Sequence, residues 1–571
     1  MFPTAQFPPP LPELRTSDMV RGDRIDIDGQ RVTAEWAWQG SGPTGPERLW
    51  LPLDLLESRL GFRRGQVTPD QTLEWFGSVQ KLATLPSQTL GDEVGLEVAD
   101  WLRDVGVTMN RSRGLLVLGL PSARLQRLRQ GKGSTADRLV FDVDGPLFVQ
   151  RRGNDLLLDL RIDRSQQRLL QRLNLNPRQT DSGLELRGQA SRLRSLSLAA
   201  PWRVVLDGVS TGSPAALSRR QETRPLPVAN PAIASLIRRG FVLERRTVRV
   251  GAKPLELLRA GGDLRLLGLT LAPLAMKGRQ QGLRFLPQLS QPAGALVAVN
   301  GGFFNRIKQL PLGALRRGGQ WLSGPILNRG VVAWGDGGSP VFGRLRLDQE
   351  LRVDGGRRWG LGFLNSGYVQ RGLSRYTAAW GPHYRALSGG EQALLIRGGA
   401  VTEHYGSAQL NRGVRLPKGA DLVVARGRAP LPAEPGERVT LMQRPNMPLG
   451  DLPNVLGGGP LLMQAGRVVL NGRGEGFSPG FLGLAAPRTV IGKGRGGTWM
   501  ITVRGVAGSG PTLLETALAV QQLGLTDALN LDGGSSTTLV AAGSTLMTGR
   551  GSAPRIHNGL GLVPNRPLPL W

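Results

Sequence analysis

Residues 512–540 read TLLETALAVQQLGLTDALNLDGGSSTTLV, and this stretch decides how the C-terminal part of the chain is interpreted. Its first half has apolar residues at helical spacing. Ser509 or Thr512 can cap such a helix, and Gly524 can end it. A short, mostly apolar run follows. The pattern therefore predicts a helix, then a buried strand whose end carries polar side chains.

A glycine-rich turn follows the predicted strand and gathers polar groups of several kinds. The run supplies an amide, a carboxylate, open backbone N–H groups and hydroxyls, in the order Asn530, Asp532, Gly533, Gly534, Ser535, Ser536 and Thr537. A carboxylate beside open amides and hydroxyls suits the binding of a polar, anionic substrate. A DGG turn is also common in ordinary hairpins, so the turn taken alone leaves a structural role open.

The region around this stretch, residues 238–564, has the same texture of dense glycine and short strands. Two more apolar strands in it end in glycine-rich turns, ALVAVNGGFFN at residues 295–305 and NVLGGGPLLM at residues 454–463. Gly-Gly pairs mark tight turns or places where the backbone approaches a ligand. The sequence predicts an α+β protein whose C-terminal domain is a β-rich mixed sheet with few helices.

Six motifs in this region occur in a fixed order and together resemble one enzyme family. They are NGGFF, RYTAAWG (375–381), GGGPLLM, APRTVIG (486–492), NLDGGSSTTLV and PRIHNGLGLV (554–563). The set resembles the phosphodiester glycosidase family, whose known enzyme removes α-N-acetylglucosamine from its phosphodiester and so uncovers mannose 6-phosphate. The resemblance implies hydrolysis of a sugar-1-phosphodiester at the glycosidic carbon–oxygen bond.

Such a reaction requires a carboxylate and a phosphate-binding group. The developing oxocarbenium ion needs a carboxylate that acts as nucleophile or as base for water. The departing phosphate is stabilised by a guanidinium group or by backbone amides. We predict Asp532 as the carboxylate, Glu515 as a second carboxylate and Arg488 as the phosphate clamp.

The remaining predicted residues bind the sugar. Asn300 is expected to orient sugar hydroxyls, and the backbone amides of four glycines are expected to line the pocket. The predicted substrate-binding set is Asn300, Gly301, Gly302, Asn530, Gly533, Gly534, Ser535, Ser536 and His557.

Structural alternatives exist for most of these residues. Glu515 can simply favour the N-terminus of its helix. Arg488 can pair with a structural carboxylate, and Asn300 can cap a turn. His557 can be a general acid or a hydrogen-bonded core histidine, the second being favoured. The neighbouring Phe303 and Phe304 are predicted to be core residues rather than a platform for a sugar ring.

Two short segments need separate interpretation. The strand WMITVRG ends with Arg504 before Gly505, where the family usually has an Asp-Gly pair, and this departure puts activity in question. The segment GKGRGG, residues 492–497, is glycine-rich like a phosphate loop. It lacks the Lys-Ser/Thr ending and opens no helix, so it is predicted to be a turn between strands.

The N-terminal half is predicted to contain two small modules. Residues 1–23 are expected to be a disordered leader. Residues 24–120 contain a loose repeat, LPLDLLESRLGF and LEVADWLRDVGV, and resemble copper amine oxidase N-terminal-like modules without implying copper chemistry. Residues 137–210 resemble polysaccharide-binding AMIN domains and are predicted to be β-sandwich-like. Residues 211–237 are predicted to be a linker.

Composition excludes several classes of protein. The chain has 72 Lys and Arg against 43 Asp and Glu, for a net charge of +29, with three His and no Cys. Disulfides and thiolate metal sites are therefore excluded. No apolar tract is long enough to cross a bilayer, and no signal peptide is visible. Aromatic residues, at 5%, are too sparse for a base-stacking surface, so no specific nucleic-acid partner is predicted.

Partner, cofactor and location follow from charge and module type. The excess of arginine is either a compositional bias or an attraction to an anionic polymer. The predicted partner is an anionic glycan or sugar-phosphate polymer of the cell envelope, and the predicted location is the envelope or periplasm. No cofactor is required, although Asp532 and Asn530 can hold a divalent cation such as Ca²⁺ or Mg²⁺.

Three functions remain open on the sequence. The first is a hydrolase acting on a sugar-1-phosphodiester or a related envelope glycan, with N-terminal modules that target polysaccharide. The second is a non-enzymatic envelope protein that binds polysaccharide and has a degenerate glycosidase domain. The third is a serine hydrolase that uses Ser535 or Ser536 with His557, although the G-x-S-x-G elbow is missing.

Overall fold

The structure, a computed structural model of the 571-residue chain, is rich in strands and has few helices. It describes residues 19–41, 46–66, 71–81, 84–90, 93–112, 114–131, 138–152, 155–189, 193–209, 224–225, 230–251, 253–506, 510–549 and 553–565. Within these residues the predicted α+β class, with a β-rich C-terminal region, is confirmed.

The N-terminal part forms a seven-stranded sheet, a three-stranded sheet and two short helices. In spatial order the seven strands are Ser87–Leu90, Glu93–Glu97, Arg48–Pro52, Gln30–Gln39, Met19–Ile27, Leu115–Gly119 and Thr108–Ser112. The smaller sheet contains Arg63–Gln66, Gln71–Trp75 and Ser78–Lys81. Both copies of the predicted repeat are helical, as Leu53–Arg59 and Ala99–Asp104, and each is followed by a glycine with positive φ.

The next part of the chain consists of two four-stranded antiparallel sheets that share one core. The first contains Leu125–Gln130, Arg138–Val143, Arg203–Asp207 and Arg194–Leu198. The second contains Val149–Arg152, Asp155–Leu158, Gly183–Leu186 and Pro177–Thr180. The helix Arg164–Arg172 connects the strands Asp155–Leu158 and Pro177–Thr180 of the second sheet and is capped by the Asp163 carboxylate. Alternate strand residues such as Phe141 and Leu156 fill the core, as expected for two packed sheets.

Two central sheets organise the C-terminal region. The eight-stranded sheet contains Arg224–Pro225, Val242–Val250, Lys253–Gly262, Gly497–Gly505, Arg488–Gly494, Leu525–Asn530, Leu461–Gln464 and Arg467–Val468. The five-stranded sheet contains Leu269–Ala275, Asn558–Pro564, Val297–Asn300, Thr538–Ala541 and Ser544–Thr548. Buried side chains from both, among them Ile491, Leu529, Val299 and Leu560, belong to one hydrophobic cluster, so the two sheets pack together.

Smaller sheets surround this centre. A five-stranded sheet contains Gln320–Ser323, Leu315–Arg317, Asn454–Gly457, Gly330–Trp334 and Val341–Arg344. A second contains Phe363–Leu364, Gly372–Thr377, Ala420–Arg426, Gln392–Arg397 and Ala400–Tyr405. A three-stranded sheet contains Arg358–Leu361, Leu347–Val353 and Val439–Pro445. Two-stranded pairs join Phe304–Asn305 to Leu310–Pro311, Arg284–Phe285 to Arg555–Ile556, and His383–Tyr384 to Val414–Arg415.

The helices of the C-terminal region are short. The α-helices are Pro231–Arg238, Leu264–Leu267, Leu286–Ser290, Ser407–Arg412, Pro479–Gly483 and Leu513–Gln522, and the 3₁₀ segments are Gln291–Ala293, Pro448–Asp451 and Gly534–Ser536. No helix in the described part of the chain is both long and apolar enough to cross a membrane.

The sequence predictions of local structure can be compared with these elements. The helix Leu513–Gln522 is confirmed, with Thr512 as its N-cap, whereas Ser509 lies outside the described residues. The segment GKGRGG joins two paired antiparallel strands, as predicted. The expected leader reaches into the strand Met19–Ile27, and the end of the expected linker forms the helix Pro231–Arg238. That helix is ordered because Ile233 and Leu236 are buried in the central cluster.

A buried ion pair with four hydroxyl and two backbone amide partners fixes the sheet that contains Ala420–Arg426. The Arg426 guanidinium donates to Glu391 Oε1 at 2.7 Å and to the Tyr376 and Tyr384 hydroxyls at 2.8 and 2.7 Å. Burial raises the pKa of both tyrosines. Burial also acts to raise the pKa of Glu391, but Arg426 and the hydroxyl donors together hold it below its usual value.

Removing one partner of this ion pair should destabilise the protein strongly. We expect Arg426→Met to lower the free energy of unfolding by about 3–5 kcal/mol, because Glu391 is then buried without its cation. The double variant Arg426→Met/Glu391→Leu should lose less, since no charge remains buried. Urea denaturation measures both, with the exposed Arg412→Met as control. A single variant as stable as the control would contradict this account.

Candidate active site

Asn300 joins three of the motifs at one point. Its side chain is fully buried at the end of the strand Val297–Asn300. The amide Nδ2 donates to the carbonyl of Asp532 at 2.7 Å. Its Oδ1 accepts from the Thr489 hydroxyl at 2.7 Å and from the backbone N–H of Thr538 at 3.0 Å. One carboxamide thus connects the NGG turn, the PRT strand and both sides of the DGGSS turn.

Backbone hydrogen bonds hold the same strand ends together. Asp532 N–H donates to the carbonyl of Gly301 at 2.9 Å, and Gly534 N–H donates to the carbonyl of Pro487 at 2.7 Å. Glycine is needed where the chains approach this closely. A Cβ at Gly301 would lie 2.1 Å from the side-chain oxygen of Asn558, a distance that no side chain tolerates.

The terminal motif supports the NGG turn from the other side. Asn558 accepts the N–H of Gly301 on its carbonyl at 2.9 Å and the N–H of Gly302 on Oδ1 at 2.8 Å. Its Nδ2 donates to His557 Nδ1 at 3.1 Å, and His557 Nε2 donates to the carbonyl of Gln280 at 2.6 Å. Burial lowers the pKa of His557 to about 4. The imidazole is therefore neutral near pH 7 and supports the turn.

Asp532 places its carboxylate at the centre of this arrangement. The residue is 7% exposed, and its Oδ1 accepts the N–H of Gly533 at 3.0 Å. The 3₁₀ turn Gly534–Ser536 follows it directly. Arg306, from the loop after NGGFFN, donates from Nη1 to the Ser535 hydroxyl at 3.1 Å. The fold thus brings a cation to the turn that carries Asp532.

Two further guanidinium groups lie on aromatic rings near these turns. Arg329, 5% exposed, lies 3.9 Å from the ring centroid of Phe477, and buried Arg488 lies 5.4 Å from that of Phe481. The Phe477 and Phe481 rings stack at 4.8 Å, so they connect the two arginines. We call Arg306, Arg329 and Arg488 the guanidinium cluster. Aromatic faces stabilise such cations where water is excluded.

The GGGPLLM motif borders the site through Asn530. Asn530 Nδ2 donates to the carbonyl of Gly459 at 2.7 Å, and the N–H of Gly459 donates back to the Asn530 carbonyl at 2.7 Å. Within the described residues, Asn530 Oδ1 and the hydroxyls of Thr537 and Thr538 are buried without hydrogen-bond partners. Unpartnered buried oxygens are uncommon and mark places for a water, an ion or a substrate group.

The divalent-cation prediction stays a prediction. The described residues contain no group of three or more His, Asp or Glu side chains placed to hold a metal. One carboxylate and one orphan amide oxygen, from Asp532 and Asn530, fall well short of the six to eight oxygen ligands that Ca²⁺ takes. A cation here would need ligands from water or substrate.

The structure brings together most of the predicted site residues and corrects the expected use of the amides. Asn300, Asn530, Asp532, Ser535 and Ser536 are gathered at the strand ends. The backbone N–H groups that were expected to face a ligand each donate within the protein, namely those of Gly301, Gly302, Gly533 and Gly534. The reason is that the turns cross-link one another, and this uses their donors. Asn300 Oδ1 likewise accepts both of its hydrogen bonds from the protein itself.

Glu515 and Arg488 have structural contacts. Glu515 Oε2 accepts from Thr512 N–H at 2.7 Å and from Lys253 Nζ at 2.8 Å, which is the helix-capping alternative. Burial acts to raise the pKa of Glu515, but Lys253 and Thr512 together lower it. Arg488 donates to the carbonyls of Leu484 and Pro511. The catalytic roles of both residues stay predictions, and this geometry does not favour that of Glu515.

Other predicted features also have definite places. Arg504, which departs from the family pattern, pairs with Glu256 at 2.8 Å on the adjacent strand. Phe304 is buried, as predicted, and Phe303 packs in the aromatic group with Phe477 and Phe481. Both ring nitrogens of His557 are engaged elsewhere, so no Ser–His pair forms with Ser535 or Ser536.

Sequence reasoning missed three charged residues near the site. Arg306 lies six residues after Asn300 and could have been found by extending the NGGFF motif. No motif in the sequence around Arg329 marks it as a site residue. Glu475 is fully buried and accepts from Gly330 N–H, Leu461 N–H and Arg344 Nε at 2.8–3.0 Å. Glu475 thus fixes the strands beside the GGGP turn.

Comparisons with known proteins place these residues in context. The profile of the phosphodiester glycosidase family matches residues 390–563, which include Arg488 and Asp532 but not Asn300. A hypothetical protein from Synechocystis has a solved structure that is 31% identical, covers 95% of this chain and 98% of its own, and has a TM-score of 0.56. No curated protein matches the chain.

Two more distant structures are also similar. A putative exported protein from Burkholderia pseudomallei is 16% identical over 80% of this chain and 99% of its own, with a TM-score of 0.44. The zebrafish N-acetylglucosamine-1-phosphodiester alpha-N-acetylglucosaminidase catalytic domain, described as auto-inhibited by its pro-peptide, is 13% identical over 60% of this chain and 87% of its own, with a TM-score of 0.31.

Loss of the Asn300 side chain should destabilise the C-terminal region. We expect Asn300→Ala to lower the free energy of unfolding by about 3–5 kcal/mol, because a carbonyl, a hydroxyl and an N–H remain buried without partners. Thr489→Val, which removes one of the three bonds, should cost about 1–2 kcal/mol. Chemical denaturation measures both against exposed Asn411→Ala. Equal stability of Asn300→Ala and this control would refute the role.

His557 should make the protein less stable in weak acid. The pKa falls from 6.5 to about 4 on folding, so between these values the unfolded chain binds more protons. The contribution of the neutral His557 to the free energy of unfolding is then fully present above pH 6.5 and decreases as the pH falls towards 4. We expect a loss of about 2 kcal/mol between pH 7.5 and pH 5 that His557→Gln does not show. Identical pH profiles for the two proteins would contradict a neutral buried histidine.

Proposed function

This chain belongs to the same family as the Synechocystis protein and carries a phosphodiester glycosidase domain at residues 390–563, and on that basis we propose that it hydrolyses the glycosidic bond of a sugar-1-phosphodiester. The substrate class follows from the domain, whose family acts as hydrolases on such bonds. The chemistry of this chain follows from the residues gathered at the strand ends.

The observation that carries the proposal is the position of Asp532 on the same turn that Arg306 contacts. A nearly buried carboxylate lies on the turn whose Ser535 hydroxyl is bound by Arg306. Arg329 and Arg488 lie on the stacked rings of Phe477 and Phe481. A guanidinium group at the turn that carries the carboxylate suits a substrate that is anionic and becomes more so when its phosphate departs. A neutral glycoside would not require it.

The proposed reaction uses Asp532 at the anomeric carbon. The bond between the anomeric carbon and the phosphate oxygen breaks, and its electron pair leaves with the phosphate. Water supplies the new oxygen at carbon 1 and releases one proton. Asp532 acts either as the nucleophile or as the base that accepts this proton. Arg306 stabilises the charge on the departing phosphomonoester, while His557, being neutral and engaged, does not act as the acid.

The N-terminal part of the chain lies against two segments of this site, which supports a substrate larger than a small sugar phosphate. Ile307, next to Arg306, packs against the N-terminal hydrophobic cluster. At Gly480, beside Phe481, a Cβ would lie 3.2 Å from the Cα of Ala34 in the strand Gln30–Gln39. We therefore propose that the N-terminal modules bind the rest of an envelope polymer whose sugar-phosphate bond enters the site.

Activity is tested with the full chain and a sugar-1-phosphodiester in ¹⁸O-labelled water. Cleavage at the glycosidic bond puts the label in the released sugar, whereas cleavage at phosphorus puts it in the phosphate. We expect label in the sugar and a loss of about 100-fold or more in kcat for Asp532→Asn. Label in the phosphate would exclude a glycosidase.

Arg306 variants separate phosphate binding from general stability. We expect Arg306→Gln to lower kcat/KM by about 10- to 100-fold. Arg306→Lys should lose less, because it keeps the positive charge, but it should stay below the native protein, because an ammonium group lacks the planar fork of donors. Arg412→Gln, on an exposed helix end, is the matched control. If the native protein releases no sugar while Asp532→Asn still binds the phosphodiester, the non-enzymatic alternative is correct.

A further inference from the structure

A groove of about 780 Å³ lies outside the candidate active site. Its floor is the edge strand Leu269–Ala275, its second wall is the helix Leu286–Ser290 with the following 3₁₀ turn, and its far end holds Arg317, Asp336 and Asn454. This volume falls in the range of about 300–1,000 Å³ that is usual for small-molecule sites. None of the residues assigned to the candidate active site lines it.

The lining is apolar and carries positive charge at its rim. The apolar residues are Leu271, Ala272, Pro273, Leu274, Ala275, Met276, Leu289, Pro292 and Ala293. Among the described residues four cations, Lys277, Arg279, Arg284 and Arg317, also line it, and Asp336 is the only carboxylate.

The cations of the rim are not neutralised by the fold. Among the described residues, no carboxylate lies within ion-pair distance of any of these four side chains, and Arg284 donates only to the backbone carbonyl of Leu283. Strand arginines elsewhere pair with carboxylates, as Arg129 does with Asp142. The rim therefore holds a net positive charge beside an apolar surface.

The floor strand cannot bind a peptide as an added strand. Leu269–Ala275 is at the edge of its sheet, but the outward carbonyl of Leu271 already accepts from the Trp334 indole at 2.8 Å. Pro273, in the middle of the strand, has no N–H to donate. A peptide added to this edge would therefore lack backbone hydrogen bonds at Leu271 and Pro273, two successive positions that face outward.

A glycan is also a poor occupant of this groove. Sugar rings bind through several polar side chains and aromatic faces. In the part of the chain that the structure describes, the lining contains no aromatic residue, and Gln288 and Asn454 are its only uncharged polar side chains. What the groove does offer is contact with a hydrocarbon chain and a cationic rim for an anionic head group.

We propose that this groove binds an anionic amphiphile, with a flexible hydrocarbon tail on the apolar floor and a phosphate head group at Lys277, Arg279 and Arg284. Such a ligand combines burial of apolar surface with charge-assisted hydrogen bonds. Asp336 is placed to disfavour ligands that fill the far end with a second anion. The site is separate from hydrolysis and stands whether or not the proposed reaction is confirmed.

Binding is tested by calorimetry on the full chain with decyl phosphate below its micelle concentration. We expect saturable binding with one ligand per chain, a weaker affinity at higher salt, and no comparable binding of inorganic phosphate or decyltrimethylammonium. Comparable affinity for inorganic phosphate would show that the tail contributes nothing and would overturn the proposal. Equal binding of decyltrimethylammonium would overturn the role of charge.

Matched variants locate the site. The double variant Lys277→Glu/Arg279→Glu should weaken binding at least tenfold, while Arg412→Glu/Lys418→Glu, with the same change in net charge on exposed residues, should change it less than twofold. Ala293→Trp, on an exposed turn, should block the groove and weaken binding of decyl phosphate. Equal effects of the two double variants would place the ligand elsewhere and overturn the proposal.

Two further measurements exclude other occupants. Asp532→Asn should leave binding unchanged, because Asp532 does not line the groove. A loss of binding in this variant would assign the ligand to the candidate active site instead. A poly-glutamate peptide should not displace decyl phosphate from the native protein. Displacement that Ala293→Trp abolishes would identify an acidic peptide as the occupant and reject the amphiphile.

Discussion

The C-terminal region depends on one buried carboxamide. Asn300 bonds to the two strands on either side of the DGGSS turn and to the PRT strand, at distances of 2.7–3.0 Å. These partners are 189 to 238 residues away in the chain. Because an unmade hydrogen bond in the core is costly, the three strand ends are held in one arrangement. The position of Asp532 follows from this arrangement.

This constraint also explains why the glycines matter. The turns must approach within hydrogen-bond distance of one another, and at Gly301 no side chain fits beside Asn558. Because the turns lie so close, their backbone N–H groups donate to one another; the N–H of Gly534, for example, donates to the carbonyl of Pro487. A substrate therefore meets side chains more than backbone amides. In the proposed reaction the chemistry is therefore assigned to the Asp532 carboxylate and to the Arg306 guanidinium group.

Features that depend on local sequence could be predicted, and features that depend on distant contacts could not. The helix Leu513–Gln522 was predictable because Thr512 and Glu515 form a capping box three residues apart. The polar strand ends were predictable from apolar runs that stop at glycine. Arg329 was not, because its position depends on Phe477 and on the carbonyl of Glu475, 146 residues away. For the same reason the sequence did not show that the glycine N–H groups donate within the protein: most of their acceptors lie far away along the chain.

The excess of arginine has different consequences in different parts of the fold. On the surface sheets, pairs such as Arg138 with Asp207 cancel charge across neighbouring strands. In the guanidinium cluster the groups also contact hydroxyl and carbonyl oxygens: Arg306 bonds to a hydroxyl, Arg488 to carbonyls, and Arg329 to the carbonyls of Glu475 and Gly476. Because burial strengthens electrostatic interactions, the buried guanidinium groups of Arg329 and Arg488 interact with nearby charges more strongly than exposed ones do. Net charge alone therefore says little about any single arginine, because its effect depends on where in the fold the residue lies.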